Sequence, residues 1–255
     1  MAGLEGLKAD KTQIPIYLFS SSQDDVFNDF VLGQFNKMGW QSVELVKTPF
    51  DIVQYVDGDN VIDKNDERFA EAIKTMNFAR EMMIKLPFKY DYLWHLEDDV
   101  AIPPDCLEKH LALFEYREKV GVSFSYCNQR FDNENKGLTR YPLVWDLRER
   151  KTPVIFDCFK NGERIGEKIE KSSTIDAIIK RPSATKWTEQ VDCASTGSIM
   201  LKRELLNKFE WLIRYKGVCY QDVALGQQLK DLGYIGLIDW SNKIKHLHYT
   251  GEIVL

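Results

Sequence analysis

Apolar residues along the chain fall into two alternating rhythms. Ile14 to Ser20 (IPIYLFS) is a short, β-rich apolar run closing in serines, the signature of a buried strand. From Asp24 to Lys37, Val26, Phe27, Phe30, Val31 and Phe35 give a helix a broad apolar side, and Gly39 is placed to end it. Ser42 to Val46 reads as a second strand and Asp57 to Asn60 as a turn. The clearest helix is Asp66 to Leu86, where Phe69, Ala72, Ile73, Met76, Met83 and Leu86 form one stripe at helical period. Tyr90 to Leu96 (YDYLWHL) is then a buried strand running into Glu97-Asp98-Asp99. Pro103-Pro104-Asp105 opens a helix from Cys106 to Lys119, and Gly121 to Tyr126 is a further strand.

Beyond Cys127 the rhythm loosens. Up to about Gln190 the chain holds turns at Asn161-Gly162 and Arg181-Pro182, a hairpin signal around Val154 to Ile165, and mixed charge. This stretch reads as an irregular excursion. Val191 to Leu201 is extended, Lys202 to Phe209 helical, and Gln221 to Leu232 a helix closed by Gly233. Tyr234 to Asp239 and Lys243 to His248 are the last extended pieces. Continuously apolar strands alternating with helices predict a single α/β domain whose mostly parallel central sheet is flanked by helices. Ligands of such sheets lie beyond the carboxyl ends of strands, so the chain leaving Ser20 and the chain leaving Leu96 face one crevice.

Composition narrows the classes. With 255 residues, 44% of them hydrophobic and 29% charged, a disordered chain is excluded. A net charge of -5, with 34 basic residues interspersed among 39 acidic ones, leaves no basic stripe for nucleic acid. No segment approaches the roughly 20 apolar residues of a membrane span, which leaves only peripheral membrane contact open. MAGLEGLKADKTQIP has no apolar h-region, so no signal peptide is expected. Five separate cysteines without a CxxC pair fit reduced thiols, and a cytoplasmic location is expected.

Four features carry candidate chemistry. Three consecutive carboxylates after a buried strand repel one another, and burial adds to the cost. A hard divalent cation such as Mg²⁺ or Mn²⁺ removes that cost and can bridge a diphosphate. A helix dipole accounts for an acid or two at a helix start, such as Asp105, and explains the triplet less well. Arg80 lies on the apolar stripe between Met76 and Met83, with Asn77 one turn earlier. Its guanidinium either finds an anion, at the acidic strand end or on a phosphate, or reaches water past the stripe edge. Asp222 opens the Gln221 helix, where spacing alone favours an N-cap over a general base held at a pocket edge. His246 and His248 share one side of an extended strand, beside Lys243 and Lys245, and suit either a metal or phosphate site or a solvent-facing pair.

The order of these pieces resembles the GT-A-fold glycosyltransferases, especially the family 2-like inverting group. The ordered set is Ser20-Ser21, Asn77-Phe78-Ala79-Arg80, His95-Leu96-Glu97-Asp98-Asp99, Ser195-Thr196-Gly197, Gln221-Asp222 and His246-Leu247-His248. WHLEDDVAIPPDCL is also similar to the EDD-bearing family 13 N-acetylglucosaminyltransferases. The resemblance implies a DxD-type motif at 97–99, with Asp99 on Mn²⁺ or Mg²⁺ and Glu97 or Asp98 on ribose or sugar. It implies that Asp222 is the base that deprotonates the acceptor hydroxyl. Ser20, Ser21, Asn77 and Arg80 would order the donor, a nucleotide-diphospho-sugar such as a UDP- or GDP-sugar. Thr196 and Gly197 would lie beneath the donor sugar, and His246 or His248 would touch metal or pyrophosphate. The domain would then divide into a donor part at about 14–126 and an acceptor part at about 127–255. Tyr141, Trp145 and Trp187 would offer sugar-stacking faces to a glycan or other hydroxyl acceptor. Two positions depart from the pattern: residue 221 is Gln, and Val46-Lys47-Thr48 lacks the usual base-reading aspartate.

Three other readings compete. A nucleotidyltransferase needs a glycine-rich basic loop after the first strand, and SSSQDD is acidic and without glycine. A non-catalytic nucleotide- or sugar-binding module would bind without turnover. A retaining transferase remains open because fold does not set stereochemistry.

Overall fold

The computed structural model describes residues 3–49, 61–133, 137–150, 154–160, 163–170, 174–182, 185–216, 218–247 and 253–254. The turns expected at Asp57–Asn60 and Asn161-Gly162, and His248, lie outside these residues. The chain opens with β1 (Ile16–Ser20), α1 (Asp25–Lys37), β2 (Val43–Lys47), α2 (Val61–Ile84), β3 (Tyr92–Leu96), β4 (Val100–Ala101), α3 (Cys106–Tyr116) and β5 (Val120–Tyr126). It continues with β6 (Asn128–Asn133), β7 (Gly137–Pro142), β8 (Val144–Arg150), β9 (Val154–Lys160), β10 (Glu163–Glu170), β11 (Thr174–Ile179), β12 (Thr188–Val191), β13 (Cys193–Ala194) and β14 (Ser198–Lys202). After them come β15 (Arg214–Tyr215), β16 (Val218–Cys219), α4 (Gln221–Asp231), β17 (Ile235–Lys243), β18 (Lys245–Leu247) and β19 (Ile253–Val254).

The central sheet has the order β12-β17-β5-β14-β3, and β1 pairs with β2 in a separate parallel ribbon. Within the central sheet only β17 and β5 run parallel; β14 lies antiparallel to both β5 and β3. The sheet is therefore mixed, where a mostly parallel one is expected from the sequence. Unbroken apolar strands report burial on two faces, and that burial holds here whatever the strand direction. Ile199 and Leu201 of β14 join the core with Leu225 and Leu229 of α4, while Met200 faces Leu113 and Phe114 of α3. A buried polar layer ties α3 to the sheet. His110 Nδ1 meets Ser123 Oγ at 2.7 Å, and His110 Nε2 meets Ser125 and Ser198 Oγ at 2.9 and 3.1 Å.

Three stretches depart from their sequence patterns. The first is α1, capped at its N-terminus by Asp24, whose Oδ1 accepts from Val26 N at 2.9 Å. Its apolar residues cover about half the helix circumference, and only the arc of Asn28, Val31 and Phe35 faces inward. Val26, Phe27 and Phe30 are exposed. The second is Lys202–Phe209, expected to be helical; it is the end of β14 and a single 3-10 turn at Arg203–Leu205. One of its carbonyls is held from elsewhere, Leu206 O accepting from Arg80 Nη1 at 2.6 Å. The third is the region 127–190, which is organised rather than irregular. It holds the antiparallel pairs β6–β7, β9–β10 and β8–β11, with β13 joined to β8. In β10, ERIGEKIE, the two isoleucines lie four residues apart among charges, so the strand shows no apolar alternation and reads locally as mixed polarity.

Two features bring distant segments to the strand ends. β18 runs antiparallel to β4, placing His246 in register with Val100 and Lys245 with Ala101. Behind this layer, Leu4 and Leu7 are buried with Val100, Ile102 and Ile244, and Lys8 N–H donates to Pro104 O at 2.8 Å. No helix among the described residues is long and apolar enough to cross a membrane.

Candidate functional site

The acidic triplet lies at the turn between β3 and β4. Register with β14 pairs Leu96 with Ser198, so the chain leaving β3 meets the segment Ser195-Thr196-Gly197. Glu97 N–H donates to Gly197 O at 3.0 Å, and the Thr196 hydroxyl donates to Glu97 Oε1 at 2.9 Å. Ser195 Oγ accepts from Gly197 N at 3.3 Å, and Ser195 and Thr196 are both buried. A Cβ at Gly197 would stand 2.9 Å from Val100 Cγ1, so this position must be small for the segment to sit against the turn. Asp98 is exposed and Asp99 half-buried.

Asp222 stands in the first turn of α4. It does not cap the helix, as spacing had favoured. Tyr220 occupies the N-cap position with φ +77° and offers no side-chain cap bond. The Asp222 Oδ1 instead accepts from Val223 N at 2.8 Å. Burial pushes the Asp222 carboxyl up to about 6, against the backbone bonds that favour its charge. α4 is seated by Gly226, where a Cβ would overlap Cys193 and the Asp192 carbonyl. Asp192 Oδ2 adds a tie, accepting from Lys230 Nζ at 2.8 Å and Leu147 N at 2.6 Å.

Electrostatics join the two elements. Burial pushes Glu97 up to about 7, Asp99 adds to it, Thr196 opposes it, and Asp222 and Asp98 contribute further. Residues 97 and 222 are thus close enough in space for the charge of one to act on the other. These oxygen donors suit a hard divalent ion in charge and type. Among the described residues, however, no group of three His, Cys, Asp or Glu side chains has metal-holding geometry. His246 lies in the strand beside β4.

The raised values set a pH dependence. Glu97 has an ordinary value of 4.5 and Asp222 of 3.8, and both rise on folding. Their favourable contribution is complete below those ordinary values and is lost as pH rises toward 6 to 7. Glu97→Gln removes the larger share while still accepting from Thr196. Its metal-free thermal midpoint should exceed that of the parent protein at pH 8 and match it near pH 4, read by thermal unfolding in EDTA across that range.

The remaining candidates take their own places. Ser20 Oγ donates to Asn28 Oδ1 at 2.8 Å and accepts from Ser22 N at 3.2 Å, so it shapes the loop after β1; Ser21 follows, half-buried. Asn77 holds Trp211 at both ends, donating to its O and accepting from its N, each at 2.9 Å. The partners of Arg80 are the Leu206 carbonyl and the Phe209 ring, 5.9 Å from its guanidinium carbon. Asn77 and Arg80 thus brace the 206–211 segment. Trp145 packs against Val223 of α4, Trp187 stands exposed before edge strand β12, and Tyr141 lies in β7. Two neighbours of the site, His95 and Trp211, carry no assigned role in the sequence. His95 shares a face with Glu97, two residues on along β3. Burial pushes its imidazole down to about 4, and its ring lies 5.5 Å from that of Trp211. Strand alternation back from Glu97 was the signal for it.

No protein-family model matches the chain, and no curated protein matches it. Solved structures do. The chain is similar to the crystal structure of GalNAc-T7 with UDP, GalNAc and Mn²⁺, at 10% identity and a TM-score of 0.51. That match covers 92% of this chain and 37% of the other, so this chain spans well under half of the GalNAc-T7 chain. It is also similar to the crystal structure of A197 from STIV, at 13% identity over 95% of this chain and 94% of that one, with a TM-score of 0.44. The GalNAc-T7 likeness makes the fold that of a GT-A glycosyltransferase.

Proposed function

We propose that this chain transfers a sugar from a nucleotide-diphospho-sugar to an acceptor hydroxyl, with inversion. One observation carries the reading. The acidic turn after β3 rests on the Ser195–Gly197 segment through Thr196, and the charge of Asp222 in α4 acts on Glu97 of that turn, in a GT-A-like fold. Asp222, with its carboxyl raised toward neutrality, is suited to take the proton of the attacking hydroxyl. Asp99 would hold Mn²⁺ or Mg²⁺, which when bound would supply the charge neutralisation that a leaving diphosphate needs. Glu97 or Asp98 would face the ribose or sugar, with Thr196 and Gly197 beneath, and His246 or His248 would touch the metal or the pyrophosphate. Ser20 and Ser21 at the β1 exit border the donor, and Asn77 and Arg80 act through the 206–211 segment. Residues of about 14–126 then form the donor side, and those of about 127–255 the acceptor side. The acceptor is a glycan or another hydroxyl compound.

UDP is the first nucleotide to test, since GalNAc-T7 was crystallised with UDP and Mn²⁺. Thermal unfolding with UDP, GDP and their sugars, with Mn²⁺ or with EDTA, decides the matter. A ligand at about 100 times its Kd contributes about 2.7 kcal/mol, or roughly 5–10 °C for a domain of this size. The stabilisation should require the metal, and slow donor hydrolysis should accompany it. If no nucleoside diphosphate stabilises the protein in a metal-dependent way, the transferase reading fails.

A further inference from the structure

The two sides of α1 do different work. Inward, Asn28 and Phe35 are buried, and Asn28 holds the loop after β1, accepting from Ser20 Oγ at 2.8 Å and donating to Ser22 O at 3.0 Å. Outward, Val26 is 79% exposed, Phe30 59% and Phe27 50%. Val26, Phe30, Gly33 and Lys37 are spaced four, three and four residues apart, so they form one row along the helix, with Phe27 beside it. Three large apolar side chains on one helix face make a contiguous patch of the kind that marks a contact surface. Gly33 is a second, separate sign. A helix interior disfavours glycine, and a Cβ at Gly33 would meet nothing within 4 Å, whereas one at Gly197 or Gly226 would collide with its neighbours. The packing of this chain therefore does not call for a glycine at position 33. What a glycine provides there is close approach to the backbone by another body, one turn from Phe30.

The charges along α1 select the body that fits. Its N-terminal end carries Asp24, Asp25 and Asp29; Asp24 caps the helix, Asp25 pairs with Lys47, and Asp29 is exposed. Its C-terminal end carries the exposed Lys37, and Lys11 joins that end by donating to Met38 O at 3.0 Å. Two copies of α1 laid antiparallel bring the acidic end of each onto the basic end of the other, twice over by two-fold symmetry. The two helix dipoles then also lie in the favourable sense. A register that seats Phe30 on the partner's Gly33 puts Lys37 within one turn of the partner's Asp29. An anionic lipid surface would instead meet the acids beside the patch.

We propose that the outer face of α1 is a two-fold interface between copies of this chain, with Phe30 of each helix seated on Gly33 of the other. One helix pair is a small interface beside those of permanent dimers, so the pairing is reversible and depends on concentration. It bears on the rest of the molecule through Asn28, since the helix it braces is the one that holds the Ser20–Ser22 loop. The interface does not depend on sugar transfer and is read by mass alone.

Sedimentation velocity of the full chain over a concentration series is the test. The parent should pass from monomer to dimer as concentration rises. Phe30→Asp should weaken the pairing at least about 30-fold, since each dimer loses two central contacts. Lys37→Glu and Asp29→Lys should each weaken it about 10-fold. An equal mixture of those two chains should pair as tightly as the parent, because both ends of the mixed dimer again join opposite charges. Gly33→Gln fills the seat and favours the helix. It should weaken pairing about 10-fold and, placed in the Phe30→Asp chain, raise the thermal midpoint by about 2 °C. The proposal is overturned if the parent stays monomeric at every concentration, if Phe30→Asp pairs as tightly as the parent, or if the mixture pairs no better than its two components. A monomeric parent that floats with phosphatidylcholine vesicles would give the face to lipid instead, and overturns it equally.

Discussion

Asp222→Asn is expected to lower sugar transfer by about 10²–10⁴-fold, the usual contribution of a positioned base. Nucleotide binding should stay intact. The amide fills the same volume, and its oxygen can still accept from Val223 N, so α4 keeps its first turn. Stability should not fall, because a neutral amide is easier to bury than a carboxylate that burial already pushes up to about 6. The substitution also removes one of the charges that raise Glu97. Metal-dependent thermal shifts with UDP should persist alongside the lost turnover. A transfer assay in which Asp222→Asn keeps full rate would show that another group takes the proton. A protein that binds nucleotide and metal but has no turnover to lose would be a binding module of this fold.

The two halves of this site differ in how readable they were. The strand and its acidic end were plain, because an apolar run that stops on three carboxylates is a local signal and β3 folds as that run suggests. Asp222 was a local puzzle. Its spacing suited a cap, and only the resemblance to known transferases marked it as a base. The cap reading failed because Tyr220 takes the N-cap position at positive φ, a placement no propensity rule favours for tyrosine. That Asp222 acts on Glu97 depends on the seat of α4 on β13, where Gly226 fits under Cys193 and Asp192. A lone glycine inside a helical pattern does not disclose its neighbour.

Other misreadings share one physical cause: local pattern records burial and leaves the partner unstated. Apolar strands were visible, yet β14 enters between β5 and β3 in the antiparallel sense, which apolarity does not encode. Arg80 faces inward as its place on the stripe suggests, and there a carbonyl at 2.6 Å and an aromatic face meet it. The wide apolar side of α1 was real in the sequence, but a helix packs one arc only, which left Phe27 and Phe30 outside. The ribbons of region 127–190 mix charged and apolar residues without a two-residue rhythm, so no alternation announced them.

Asp99→Ala should abolish the metal-dependent part of nucleotide binding, an effect of about 100-fold or more on a ligand whose diphosphate is neutralised there. Position makes the difference among the three acids. Asp98 is exposed, Glu97 has its Oε1 engaged by Thr196, and Asp99 is the half-buried carboxylate beside β4, where β18 brings in His246. The metal-free protein should respond in the opposite direction. Asp99 ranks after burial among the causes that raise Glu97, so its removal relieves repulsion and should raise the metal-free midpoint at pH 8. A variant more stable in EDTA, yet unresponsive to UDP and Mn²⁺, is the outcome that separates a metal-holding carboxylate from one that only supports the turn. If Asp99→Ala is instead destabilised in EDTA and still gains stability from UDP with Mn²⁺, the carboxylate serves the fold and the ion is held elsewhere.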